Sequence, residues 1–167
     1  YIATAWECPF EGAIAESTVL ELCGKLIDLG ATEVSFADTI GAATPAQAKS
    51  IMSEAVSQFG AEKVFCHFHD TRAMGVANVF AAVEAGVRKF DSSIGGLGGC
   101  PFAPGATGNV ATEDVVLMLE QMGFDTGIEL GKLLKATSLA AELTQNCDGG
   151  HANRWIQRQV EKGLLAA

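Results

Sequence analysis

The sequence predicts an α/β fold in which parallel strands alternate with crossover helices, and three observations carry that prediction. Strand-like runs start near residues 1, 33, 63 and 89, a recurrence of about 26 to 32 residues that suits a strand, a crossover helix and two connections. The segments between them space their apolar residues at the helical period and carry capping residues at their ends. Residues able to do chemistry fall at the close of a strand, which is where parallel α/β architectures build their sites.

Residues 1–6, YIATAW, are extended in character, and Val19, Leu20, Leu22, Leu26, Ile27 and Leu29 recur at helical spacing before Gly30, giving strand then helix. Residues 33–37 read as a second strand, after which Thr44 and Pro45 supply an N-cap and a first-turn proline for a helix running to about Phe59. A third strand over 64–69 precedes a helix near 74–85, a fourth lies over 89–93, and Thr112, Glu113 and Asp114 open the next helix. After Gly123 a helix is expected near 129–145. The tail, 146–167, holds a weakly amphipathic segment with Trp155, Ile156, Val160 and Leu164, expected to be helical. About four β-α units fit either an open α/β sheet or half of a (β/α)8 barrel, since a whole barrel needs about 250 residues.

With 167 residues, 49% of them hydrophobic, the chain can bury one substantial core and reads as one domain. No apolar run reaches the roughly 18 residues a bilayer demands, and no basic stretch leads into an apolar core at the amino terminus, so a soluble protein without membrane association is expected. Eleven Lys and Arg face 20 Asp and Glu, and the net charge of −9 argues against a nucleic-acid surface. Any anionic ligand must be held by local groups. The five cysteines are odd in number and form no CxxC pair, which favours a reducing compartment. Cys23 and Cys66 read as small core residues, whereas Cys8 and Cys100 each precede a proline in a loop.

The strongest chemical signal is Cys66-His67-Phe68-His69-Asp70. Strand residues two apart share a face, so His67 and His69 project together while Cys66 and Phe68 face the opposite layer. A bare HxH also fits two histidines satisfied by ordinary hydrogen bonds, but its position at the close of a strand favours a shared metal. Residues 95–109, GGLGGCPFAPGATGN, set Cys100 in a glycine-rich loop. Gly96, Gly98 and Gly99 open backbone angles closed to other residues, so the loop is expected to fold over a substrate and exclude water. Asn109 follows that loop, and its amide oxygen is a candidate third ligand. Two imidazole nitrogens, one amide oxygen and water suit an octahedral Mg2+ or Mn2+, and Zn2+ less well.

DTIG at 38–41, HFHDT at 67–71, DSSIGGLGGCPFAPGATGN at 91–109, ATED at 111–114 and CPFEG at 8–12 resemble, in order and spacing, the 3-hydroxy-3-methylglutaryl-CoA (HMG-CoA) lyases, a family of metal-dependent TIM-barrel lyases. The resemblance implies that residues 1–145 are a partial (β/α)8 barrel supplying the fifth to eighth strands, with 146–167 as a carboxy-terminal tail. It implies His67, His69 and Asn109 as ligands of Mg2+ or Mn2+, Cys100 and Asp38 as catalytic residues, Gly96, Gly98 and Gly99 as the substrate loop, and Asp70 as a carboxylate orienting an imidazole. The reaction implied is retro-Claisen cleavage of HMG-CoA to acetyl-CoA and acetoacetate, as in leucine catabolism and ketone body formation. The aspartate and adjacent arginine with which the family's first strand completes the metal shell and binds the acyl-CoA are absent here.

Related synthases and carboxyltransferases also use an HxH strand, and the thiol loop favours a lyase over both. A half-barrel exposes two strand edges, so completion by an amino-terminal half, a homo-oligomer, or a non-catalytic half awaiting a partner chain are all expectations. The abrupt start, without an initiator methionine, fits a piece of a longer reading frame. The bacterial cytoplasm is the expected compartment, or the mitochondrial matrix in a eukaryote.

Overall fold

The computed structural model describes residues 1–99 and 108–166. These form two compact units, Tyr1–Asp91 with residues 99 and 108, and residues 92–98 with 109–166.

The first unit runs β1 (Glu7–Cys8), β2 (Gly12–Ala13), α1 (Glu16–Asp28), β3 (Val34–Asp38), α2 (Pro45–Phe59), β4 (Val64–Phe68), α3 (Gly75–Glu84) and β5 (Phe90–Asp91). Its parallel sheet has the order β3-β4-β5. The register pairs Val34 with Val64 through to Asp38 with Phe68, and then Cys66 with Phe90 and His67 with Asp91. The pairing of His67 with Asp91 matters most for function, because paired residues of parallel strands present their side chains to the same face. Among the described residues the sheet is open.

Local chemistry explains the helices. Thr44 closes a capping box at the start of α2: its hydroxyl accepts from the Gln47 amide at 3.3 Å while Gln47 Oε1 accepts from the Thr44 amide at 3.1 Å, with Pro45 in the first turn. The helix buries Ala48, Ile51, Met52 and Ala55 along one stripe. Helices α2 and α3 pack on each other and on β4, above a core of Phe36, Val64, Cys66, Phe68, Val79 and Ala82. At the start of α3 no side chain of the preceding residue caps the helix; Asp70 Oδ1 accepts from the Gly75 amide at 2.6 Å instead.

Two expectations are corrected. The strand predicted over 1–6 contributes only an isolated parallel bridge between Ile2 and Phe36 and one bond from the Ala5 amide to Ala37 O, because the backbone turns at Thr4, where φ is 55° and the amide donates to Thr39 Oγ1 at 2.9 Å. Cys8, expected in a loop, lies in β1 of a two-stranded hairpin, whose strands are too short to show an alternating pattern. The strand expected over 89–93 is present as Phe90–Asp91.

The second unit contains a 3-10 turn (Ile94–Gly96), α4 (Thr112–Gln121), α5 (Leu130–Thr144) and α6 (Asn153–Glu161). Helix α5 packs against α4, α6 and the 3-10 turn. Val115, Val116, Leu133 and Ile156 are buried. The tail therefore carries a helix, as expected, and only Ile156 of that helix is buried. Among the described residues no helix is long and apolar enough to cross a membrane.

Candidate active site

Strand β4 alternates buried Val64, Cys66 and Phe68 with half-buried Phe65 and His67, and His69, the residue after it, is 7% exposed. The period of two thus delivers both imidazoles to one face, as the sequence predicts. His67 Nε2 and His69 Nε2 lie 3.1 Å apart. On the other side of the His67 ring, Nδ1 sits 2.7 Å from Asp91 Oδ1, and Tyr1 donates its hydroxyl to Asp91 Oδ2 at 2.6 Å.

Proton placement follows from these partners. Burial alone would raise the Asp91 carboxyl, but bonds from His67 and Tyr1 hold it below the usual range. As a carboxylate it only accepts, so His67 Nδ1 carries the proton and His67 Nε2 presents a lone pair. His69 Nε2–H then donates to that lone pair, which leaves His69 Nδ1 as a buried acceptor without a partner among the described residues. Burial, and then the neighbouring His67, push the His69 pKa down, toward the neutral form in which an imidazole ligates a metal. The Tyr1 hydroxyl is raised by its bond to Asp91, by burial and by the Asp91 charge.

Asp38 ends β3, is 1% exposed, and accepts the amides of Ala42 at 2.8 Å and Ala43 at 3.0 Å. Burial raises its pKa, and those two amides partly counter the rise. Its carboxylate therefore shapes the turn after β3. Asp70 Oδ1 holds the start of α3, while the carboxylate beside His67 is that of Asp91. Sequence reasoning gave Asp91 and Tyr1 no role, although the DSSIGG motif begins at Asp91; aligning the fourth strand with β4 would have found it.

In the second unit, Asn109 Nδ2 donates to Leu97 O at 2.8 Å, and Asn109 Oδ1 is buried without a partner among the described residues. Gly98, at φ +91°, comes so close to that amide that a Cβ there would lie 3.0 Å from Nδ2. Gly96 belongs to the 3-10 turn, and Gly99 is exposed. Cys100 lies outside the described residues. Cys23 and Cys66 are fully buried; burial pushes the Cys23 thiol up to about 11 and Cys66 well above its ordinary value, as befits unreactive core thiols. Among the described residues, no three His, Cys, Asp or Glu side chains group as a metal site. The histidine pair supplies two donors.

Known proteins share this arrangement of sequence. The profile of the HMGL-like family matches residues 2–140. The hydroxymethylglutaryl-CoA lyase YngG of Bacillus subtilis is 45% identical over 164 residues, 98% of this chain and 50% of its own length. The mitochondrial hydroxymethylglutaryl-CoA lyase of Homo sapiens is 44% identical over 136 residues, 81% of this chain and 42% of its own. An HMG-CoA lyase from Acinetobacter baumannii, solved with coenzyme A and 3-methylmalate, superposes with a TM-score of 0.86 at 43% identity, covering 91% of this chain and 50% of that one. The chain thus spans about half the length of the curated relatives it matches. With that family profile matched over most of its residues, the chain belongs to the HMGL-like family, with that family's α/β fold of TIM-barrel type.

Proposed function

We propose that this chain forms the metal-binding half of a lyase that cleaves HMG-CoA to acetyl-CoA and acetoacetate. The observation that carries the reading is the convergence of His67 Nε2 and His69 Nε2 at 3.1 Å, with Asp91 fixing the far nitrogen of His67 at 2.7 Å. A ligating histidine characteristically donates its other ring N–H to a carboxylate. In this reading the strands here are the fifth to eighth of the barrel, and the first four come from an amino-terminal half, with a homo-oligomer as the assembled form.

The donor set fits a divalent ion. His67 Nε2 offers a lone pair, and with its proton moved to Nδ1, which has no partner among the described residues, His69 offers Nε2 beside it; the resemblance implies that His67, His69 and Asn109 hold Mg2+ or Mn2+. Once bound, such an ion supplies electrostatic stabilisation of negative charge developing on a substrate oxygen.

The protein's own groups do the rest. Asp38 is the acid/base or positioning residue: as the base it takes the proton of the tertiary hydroxyl as the carbon-carbon bond breaks, and that oxygen becomes the ketone of acetoacetate. The bonding electron pair passes to the acetyl-CoA fragment as an enolate, and the Cys100 thiol gives that carbon its proton. The loop holding Gly96, Gly98 and Gly99 keeps water from the enolate.

Mn2+ titration into the chain, with His67→Ala beside it, tests the metal half of this reading: wild type binds and the variant loses at least about tenfold in affinity. Acetoacetate release by the protein completed with an amino-terminal half tests the reaction. Turnover abolished by Cys100→Ala is the expected result; equal turnover by wild type and Cys100→Ala overturns the role given to the thiol.

A further inference from the structure

A carboxylate with no part in the reaction above lies at the root of the glycine loop. Glu113, in the first turn of α4, is fully buried. Its Oε2 accepts the Gly95 amide at 2.9 Å, and its Oε1 lies 3.1 Å from the same nitrogen. The same Oε1 accepts the Thr137 hydroxyl at 3.1 Å and the Gly150 amide at 3.0 Å. Donors from the loop, from α5 and from the tail thus converge on one side chain that can only accept. Burying a carboxylate is costly unless its lone pairs are filled, and here each partner comes from a different segment.

The tail is held to the same place independently. Asp114 Oδ2 accepts the His151 amide at 2.9 Å, and Asp114 Oδ1 accepts that of Ala152 at 2.7 Å. Packing leaves no slack: a Cβ on Gly95 would lie 2.1 Å from Cys147 Sγ, and one on Gly150 would lie 2.7 Å from Asp114 Oδ1 and 2.8 Å from Ala111 Cβ. Beyond Gly95, the turn runs through the Leu97 amide, which donates to Ile94 O at 3.1 Å. The Leu97 carbonyl then takes Asn109 Nδ2. That bond decides which end of the Asn109 amide stays free, namely Oδ1.

From this continuous path we infer that Glu113 is a positioning residue: it fixes the root of the glycine loop at Gly95, anchors that root to the tail through Gly150, and so orients Asn109. The inference deepens the proposed function and rests on it for the role of Asn109, but the mechanical link stands on this unit's own geometry. Segment 147–152 acts as a strap rather than an appendage.

Amide hydrogen exchange in the full chain measures the link without any assay of turnover. Glu113→Gln replaces an accepting oxygen with an amide that donates, so exchange at Gly95 and Gly150 rises by about tenfold or more. Asp114→Asn releases His151 and Ala152 while Gly95 stays protected. Gly150→Ala, which crowds the tail off the carboxylate with Glu113 intact, also speeds exchange at Gly95 and serves if Glu113→Gln does not fold. Unchanged exchange at Gly95 in a folded Glu113→Gln, or in Gly150→Ala, overturns the inference.

Mn2+ affinity supplies the functional arm. Glu113→Gln weakens it about fivefold or more, whereas Asp114→Asn, the neighbouring buried acid, does not; equal loss in both variants shows only general destabilisation and overturns the positioning role. Wild-type protein that neither binds Mn2+ nor cleaves HMG-CoA defeats the proposed function instead, and the exchange pattern is still read on its own terms.

Discussion

Asp91 fills both of its oxygens, one with the His67 ring and one with the Tyr1 hydroxyl, and so keeps a single imidazole tautomer in place. Removing the charge while keeping the shape separates that role from packing. Asp91→Asn weakens Mn2+ binding by about 10 to 100-fold, as loss of a carboxylate behind a ligating histidine does, and leaves the thermal midpoint within a few degrees; titration calorimetry beside a thermal melt reads both. The histidines themselves were legible from the sequence because side chains two apart share a strand face. Asp91 was not, because its partnership depends on the β4-β5 register, which pairs it with His67 and which no local pattern states. Glu113 and Asp114 show the same limit: the sequence reads them as residues that open a helix, which they do, and says nothing of their burial as acceptors for other segments.

The helices of the first unit were legible because their signals are local. Thr44 and Pro45 mark the start of α2 within two positions, and the N-cap forms as read, with Gln47 completing a capping box. Thr44→Ala removes the hydroxyl that accepts the Gln47 amide and costs about 1 kcal/mol, measured as a lowered urea midpoint with the slope unchanged. Strands were less legible at their ends. Residues 1–6 have the composition of a strand, but the left-handed turn at Thr4 and its bond to Thr39 limit the ladder to a bridge at Ile2 and one bond from the Ala5 amide to Ala37 O. The two-residue strands β1, β2 and β5 are fixed by contacts made elsewhere in the chain, so composition alone says little about them.

For the molecule as a whole, half-length is the governing fact, since the relatives it matches are about twice as long. The fully buried β3 and the alternating β4 show that two faces of the sheet differ in cover, with Phe65 and His67 on the less covered one. In the proposed barrel that face meets the strands of an amino-terminal half. Co-expression with the amino-terminal half of a related lyase therefore yields a complex that elutes as one species and releases acetoacetate, whereas this chain alone binds Mn2+ with little or no turnover; turnover by the chain alone contradicts the half-barrel reading.

Gly41 and Thr71 belong to the turns that follow β3 and β4, and they touch: a Cβ on Gly41, at φ +65°, would lie 2.9 Å from both the Thr71 backbone nitrogen and its Cβ. No soft side-chain tip is available to yield, so the two turns fit together like gear teeth. Thr71 follows His69 by two residues, and anything that shifts that turn shifts the imidazole with it. The DTIG and HDT segments are thus free to drift over generations only in step, and a lineage that enlarges residue 41 must first rebuild the turn that carries its histidine.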